Sequence, residues 1–290
     1  MKGESVADRR PPSVRARQLA AELRRLRDAA TLTGEETAGR LGWSPSKISR
    51  IETGHTAPSR PDLRRLLDLY EVSGTQRQRL ELLGQSAGQR GWWDAYADTL
   101  GPEYTALIAL EAEAASLRWY SPMLVPGLLQ TESYAREVIR SGLLIAPPGQ
   151  VERRVQVKMT RQRVLTRDNP VQLTAVLDEA AVLRTVGGPD VMREQLAHLT
   201  TIAARPNITV QVLPFAAGAH PATTGEFTIL TFPELIAPDV VYLENMTSDL
   251  YVEQEAEVYR YGLAFDRLRT LALTPDKSGT FITAQAATMK

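Results

Sequence analysis

Over the first 90 residues the apolar positions recur at helical spacing in short blocks, with capping and turn residues between them. Leu19, Leu23, Leu26 and Ala30 share one face of a helix starting near Arg17, while Arg24, Arg25 and Asp28 lie off it. Thr33 to Glu36 reads TGEE, a capping box in which the Thr33 side chain accepts at the helix start and Glu36 reaches back. The short helix it opens carries Ala38 and Leu41, and Gly42 follows where a left-handed residue ends it. Ser44 is the N-cap of the next helix, and Pro45 suits its first position, where an N–H has no partner anyway. Ile48 and Ile51 point inward and Gly54 closes that helix. Ser59 starts another, with Asp62 in its first turn and Leu63, Leu66, Leu67 and Tyr70 on its apolar face. Thr75 with Gln78 repeats the cap signature for a fifth helix over 75–86. The pattern predicts an all-α five-helix domain over residues 17–88, behind a polar, Pro-containing tail, residues 1–16, expected to be disordered.

Residues 89–102 read as a connector. A helix is predicted over 103–120, with Leu107, Leu110 and Ala114 inward, and Ser121-Pro122 breaks it. PGLLQTESYAR, from Pro126, leads into a helix ending at Gly142, and residues 150–166 form a third. From Val171 the period changes. VQLTAVLDEAAVL begins as a strand, and GGPDVMREQLAHLTTIAA is a helix with Met192, Leu196 and Leu199 on one side. NITVQVLPF, EFTILTF and DVVYLEN are three further strands, and residues 251–273 finish in a long helix. A strand–helix–strand unit followed by more strands implies a larger α/β domain with a mixed sheet over 103–285, its first crossover right-handed.

Composition narrows the function. The 290 residues suit two domains, and an apolar share of 43% can fill both cores. There is no cysteine, which excludes disulfides, thiolate nucleophiles and zinc–thiolate sites and fits a reducing cytoplasm. The opening MKGESVADRRPP has no apolar stretch and is not expected to be a signal peptide. No apolar run is long enough to span a bilayer, so a cytoplasmic protein with no membrane partner is expected. The net charge of zero is unevenly spread: residues 1–90 hold 17 Lys+Arg against 11 Asp+Glu, and residues 91–290 hold 17 against 23. A basic head on an acidic body points to a polyanionic partner for the head.

The run TGEETAGRLGWSPSKISRIETG, Thr33 to Gly54, with PSRPDL from Pro58 to Leu63, resembles the Cro/C1-type (Xre-like) helix-turn-helix family of transcriptional regulators. The resemblance implies that the second helix of the pair enters the major groove of a double-stranded DNA operator. Pro45, Ser46, Ser49 and Arg50 would then face the bases, Arg50 being best suited to grip guanine, and Lys47 would meet phosphate. It also implies a salt bridge from Arg27 to Glu52 that aims the arginine at phosphate, a minor-groove contact from Arg60, and a phosphate at the backbone N–H of Gly34. Readers of this kind work as homodimers on two half-sites.

Further along stand GWWD at Gly91, VPGLLQT at Val125, YAR at Tyr134, RQRVLTR at Arg161 and LDEAA at Leu177. QLAHL at Gln195, VQVLPF at Val210 and VYLE at Val241 complete the set. These are similar to the domain of unknown function that follows the helix-turn-helix in actinobacterial regulators, including the WhiJ-like group. That resemblance implies transcription control, with a small protein encoded nearby as a possible partner and antitoxin-like behaviour.

The body offers little catalytic chemistry. His55, His198 and His220 have no metal-ligand spacing, and no nucleophile elbow, phosphate loop or zincin motif occurs. Asp178, Glu179 and Glu244 could meet in one cleft for acid–base work; capping and arginine binding are the commoner uses of such residues. Residues 152–167 carry Arg153, Arg154, Lys158, Arg161, Arg163 and Arg167 against Glu152 alone. They either bind an anion, such as DNA flanking the operator, or pair with the acids of the body, and the acidic balance there favours pairing. The expectation is a regulator without enzymatic activity, cofactor or metal, its body serving dimerisation and signal or partner binding. The alternatives are a DNA-tethered enzyme acting on a nucleotide or phosphodiester, and an antitoxin masking a small protein.

Overall fold

Side-chain caps set where the short helices of the head begin. The computed structural model describes residues 14–87, 91–96, 99–143, 147, 149–233 and 238–289. The chain divides into two units, a head up to Asp94 and a body from Ala95.

The head contains α1 (Val14–Ala29), α2 (Gly34–Leu41), α3 (Pro45–Glu52), α4 (Arg60–Leu69) and α5 (Gly74–Ala87). Leu19, Leu23 and Leu26 of α1, Ala38 and Leu41 of α2, Ile48 and Ile51 of α3, Leu63, Leu66 and Leu67 of α4, and Leu80 and Leu83 of α5 make one core. These are the positions that the 3.6-residue period selects. Helices α4 and α5 approach so closely at Gly84 that a Cβ there would overlap the Leu63 side chain. Two boundaries differ from expectation. Helix α1 begins at Val14, inside the tail expected over 1–16, because Arg15 and Ala16 are buried; residues 1–13 lie outside the described residues. Helix α5 begins at Gly74, so Thr75 sits in its first turn instead of capping it.

The body is built on a six-stranded sheet in the order β3-β2-β1-β4-β5-β6. Its strands are β1 (Ser116–Ser121), β2 (Gln172–Asp178), β3 (Ile208–Leu213), β4 (Phe227–Thr231), β5 (Val240–Glu244) and β6 (Asp249–Val252). Strands β1, β2 and β3 run parallel, whereas β4, β5 and β6 join antiparallel, which makes the sheet mixed. The helices are α6 (Pro102–Glu113), α7 (Glu132–Gly142), α8 (Gln150–Arg161), α9 (Glu179–Leu183), α10 (Pro189–Ile202), α11 (Glu255–Leu271) and α12 (Pro275–Thr288). Tyr120, Val176, Leu213, Phe227, Ile229 and Val241 of the sheet pack with Val258, Phe265 and Leu268 of α11.

Three expectations for the body are corrected. The helix predicted over 103–120 stops at Glu113, Ala114 turns to extended backbone (φ −63°, ψ 142°), and residues 116–121 are β1. Strand β1 is central, and Leu117, Trp119, Tyr120 and Ser121 are all buried, so it lacks the alternation that marks a strand with one wet face. The helix predicted over 251–273 starts at Glu255, because the edge strand β6 takes Asp249–Val252. Beyond it, α12 follows Pro275 and runs past the expected domain end at 285. Among the described residues no helix is long and apolar enough to cross a membrane.

Candidate nucleic-acid interface

Two caps and one glycine set up the α2–α3 pair. The Thr33 Oγ1 accepts from the Glu36 backbone N–H (3.1 Å), and Glu36 Oε2 accepts from the Thr33 N–H (2.8 Å). The Thr33 N–H, with the Thr33 hydroxyl also donating to Oε2 (2.9 Å), holds the Glu36 carboxyl below the usual range. Gly42, at φ +68°, stops α2 in the left-handed region. Ser44 Oγ accepts from the Lys47 N–H (3.3 Å), with Pro45 at the first position of α3. Ile48 and Ile51 are buried, so helical geometry turns Pro45, Ser46, Ser49 and Arg50 outward, and all four are exposed.

Arg50 is the free charge on this face; among the described residues its guanidinium has no hydrogen-bond or ion-pair partner. Arg60, at the first position of α4, is likewise exposed, behind the N-cap Ser59. The Ser46 and Ser44 hydroxyls share a hydrogen bond of 3.0 Å. Gly34 opens α2, where first-turn N–H groups lack intrahelical acceptors and Glu35 is exposed beside them.

Two expected contacts are engaged within the fold. Arg27 donates through Nε and Nη2 to both oxygens of Glu52 (2.7 and 3.1 Å) and through Nη1 to the Leu32 carbonyl (2.7 Å). The hydrogen bond to Glu52 raises the affinity of this guanidinium for its proton. With both side chains only 12% exposed, the pair ties α1 to α3 and holds Arg27 inward. Lys47 donates to Asp62 Oδ2 (2.9 Å) and sits over the Trp43 ring, 3.8 Å from its centroid. Burial works to raise the Asp62 carboxyl, but hydrogen bonds from Lys47 and Ser59 outweigh it and hold it low. The sequence reading placed Asp62 only as a first-turn acid and gave no role to Trp43 or to Arg65, whose Nη2 donates to the Leu41 carbonyl at the end of α2 (2.6 Å). Fifteen residues separate Lys47 from Asp62, and no local spacing rule joins them.

The basic residues of the body follow another course. Arg161 is 4% exposed and grips Glu111, itself fully buried, through Nε (2.5 Å) and Nη2 (2.8 Å), with Nη1 on the Tyr104 hydroxyl (2.7 Å). Arg167 donates to the Asn169 and Ala112 carbonyls (2.9 and 2.5 Å). Lys158 donates to Gln130 Oε1 (3.0 Å), an amide and not an acid. The carboxylates weighed for catalysis are dispersed. Asp178 caps α9 by accepting from the Ala180 N–H (2.9 Å), and Glu179 accepts from the Phe215 N–H (2.7 Å). Glu244 stands apart at the end of β5, exposed.

Residues 18–80 match the sequence model of a helix-turn-helix domain. Residues 104–284 match that of a domain of unknown function, DUF5753. No curated protein and no solved structure matches the chain.

Proposed function

The chain belongs to the DUF5753 family and carries a helix-turn-helix domain ahead of that domain, and from this we propose a sequence-specific DNA-binding transcriptional regulator of the Cro/C1 type. The observation that carries the reading is the outer face of α3, where Ser46, Ser49 and an unpaired Arg50 project from a capped helix whose other face is core. The major groove admits one helix of this size, and Arg50 suits a bidentate grip on guanine O6 and N7. Pro45 offers apolar contact, and the Arg60 guanidinium suits a narrow, A·T-rich minor groove. One eight-residue helix reads few base pairs, so two heads act together on two half-sites, joined through the body. The body binds a signal or a partner protein and does not catalyse. Antitoxin-like action on a small protein is a special case of that role.

A binding selection on random duplexes tests this, with wild type and Arg50→Ala side by side. The variant should lose about 1–3 kcal/mol on the selected site and relax preference at one base pair. Because Arg50 is exposed, its stability should stay within about 0.5 kcal/mol of wild type. Unchanged specificity would mean that α3 does not read bases. Sedimentation of the full chain tests the second element, and a monomer that binds its site at full affinity would remove the dimer.

A further inference from the structure

Helix α11 has one side in the core and the opposite side in solvent. Val258, Phe265 and Leu268 pack with the sheet, and Tyr261 joins them partly buried. At about 100° of turn per residue, the line directly opposite that core runs through Leu263. Leu263 is 53% exposed, and Tyr259, one turn earlier, is 66% exposed. Single exposed apolar residues are ordinary, but two large ones a turn apart on the outer line of one helix make an apolar seam. Its flanks carry charge. Tyr259 and Asp266 fall about 40–60° to one side of Leu263, and Arg260 and Arg267 fall as far to the other.

These charges are not used within the subunit. Arg260, Asp266 and Arg267 are exposed, and among the described residues none of the three side chains has a hydrogen-bond or ion-pair partner. Three and four residues from Arg267 stand only Leu263, Ala264, Thr270 and Leu271, so the helix offers it no acid. The seam is complementary to itself. When two copies of α11 lie side by side about a two-fold axis parallel to the helix, Leu263 meets Leu263 of the partner subunit. Each flank then meets the opposite flank: Asp266 faces Arg267 of the partner subunit, and Tyr259 faces Arg260 of the partner subunit. The first contact is an ion pair and the second a guanidinium on a tyrosine ring, and symmetry makes each of them twice. Antiparallel pairing would instead set Arg260 against Arg267 of the partner subunit, so like-charge repulsion selects the parallel arrangement.

We propose that the outer face of α11 is the surface through which two copies of this chain associate, in parallel about a two-fold axis, with Leu263 at the centre. The proposal rests on the dimer put forward above and gives it a place, and it stands whether or not α3 reads DNA. The surface is one helix wide, at the small end of specific interfaces, so the dimer dissociates on dilution. Its specificity comes from the charged flanks, which admit a second copy of the same helix in one direction only.

Sedimentation equilibrium of the full chain over a wide range of concentrations is the test. Wild type should show a monomer–dimer equilibrium. Leu263→Arg should raise its dissociation constant at least ~100-fold, because the change lies at the centre and enters twice. Asp266→Arg and Arg267→Asp, each alone, should weaken association about tenfold or more, since each puts like charges face to face. Mixed in equal amounts, these two variants should associate with each other at close to wild-type strength. One then presents two arginines where the other presents two aspartates, and a variant that had merely unfolded could not regain affinity in this way. A Leu263→Arg chain that still dimerises would overturn the surface and leave the dimer standing, and so would reversed variants that stay apart when mixed. A wild type that is monomeric at every concentration would overturn the surface and the dimer together, leaving the seam to another protein's helix.

Discussion

Helices α3 and α8 both carry basic side chains at high density, and they use them in opposite ways. On α3 the core takes Ile48 and Ile51, and Arg50 is left exposed with no acid in reach among the described residues. On α8 the terminal Arg161 turns inward, where Glu111 of α6 and the Tyr104 hydroxyl receive it. Burial alone would lower the Arg161 proton affinity; the Glu111 carboxylate overcomes that and holds it above the ordinary arginine value. A basic run is left open to an outside anion only where no other element brings an acid to meet it. Lys47 shows the intermediate case, a cation on α3 that Asp62 of α4 already claims.

The sharpest way to break the comparison is Arg161→Ala. It strands Glu111 as an unpaired buried charge and should cost about 3–5 kcal/mol in the denaturant unfolding of the body. Replacing both partners, Glu111→Leu with Arg161→Met, should recover most of that, because well-packed apolar groups need no compensating charge. A loss under about 1 kcal/mol would be the behaviour of a surface pair and would return α8 to the anion-binding candidates.

Lys158 extends the contrast through pH. Desolvation, aided by Arg161, lowers its ammonium to about 8, against ~10.4 in an unfolded chain. Its charge thus weakens the fold below pH 8. The penalty fades as pH rises from about 8 towards 10.4, where the folded state has released the proton and the unfolded state still holds it. Lys158→Met should be more stable than wild type by about 1–3 kcal/mol at pH 7, since a tenfold shift in proton affinity is about 1.4 kcal/mol. The gap should close on the alkaline side, and a gap independent of pH would mean that Lys158 titrates as a solvated lysine.

Within the head, Arg27 and Glu52 should behave as a coupled unit. A double-mutant cycle on folding stability should yield about 0.5–3 kcal/mol, and additive single variants would show that the two do not interact in solution. The smallest effect concerns Lys47. A free phosphate contact changes the salt dependence of binding by about one unit, but here Asp62 competes for the ammonium. Lys47→Ala should flatten the slope by less than about one unit, and Asp62→Asn should steepen it by up to about one for every duplex tested. A full-unit loss with Lys47→Ala would show that the Asp62 contact gives way completely on DNA.

What the sequence by itself determined is local. The caps at Thr33 and Ser44, the stop at Gly42 and the burial of Ile48 and Ile51 are legible because capping and helical periodicity act within four residues, and they suffice to turn Ser46, Ser49 and Arg50 outward. The Arg27–Glu52 bridge was legible only through the family resemblance, since 25 residues separate the partners. In the body, β2 to β5 were readable from their β-branched runs, while β1 and β6 were not. Strand β1 is covered on both faces, and β6 is a four-residue edge strand, so neither has the alternation that exposes a strand. Only the tertiary structure decided which charges are spent: Glu111 on Arg161 and Asp62 on Lys47. Such pairings join residues 15 to 50 positions apart, and a charge's fate depends on the element that packing brings opposite it and on the water that packing removes.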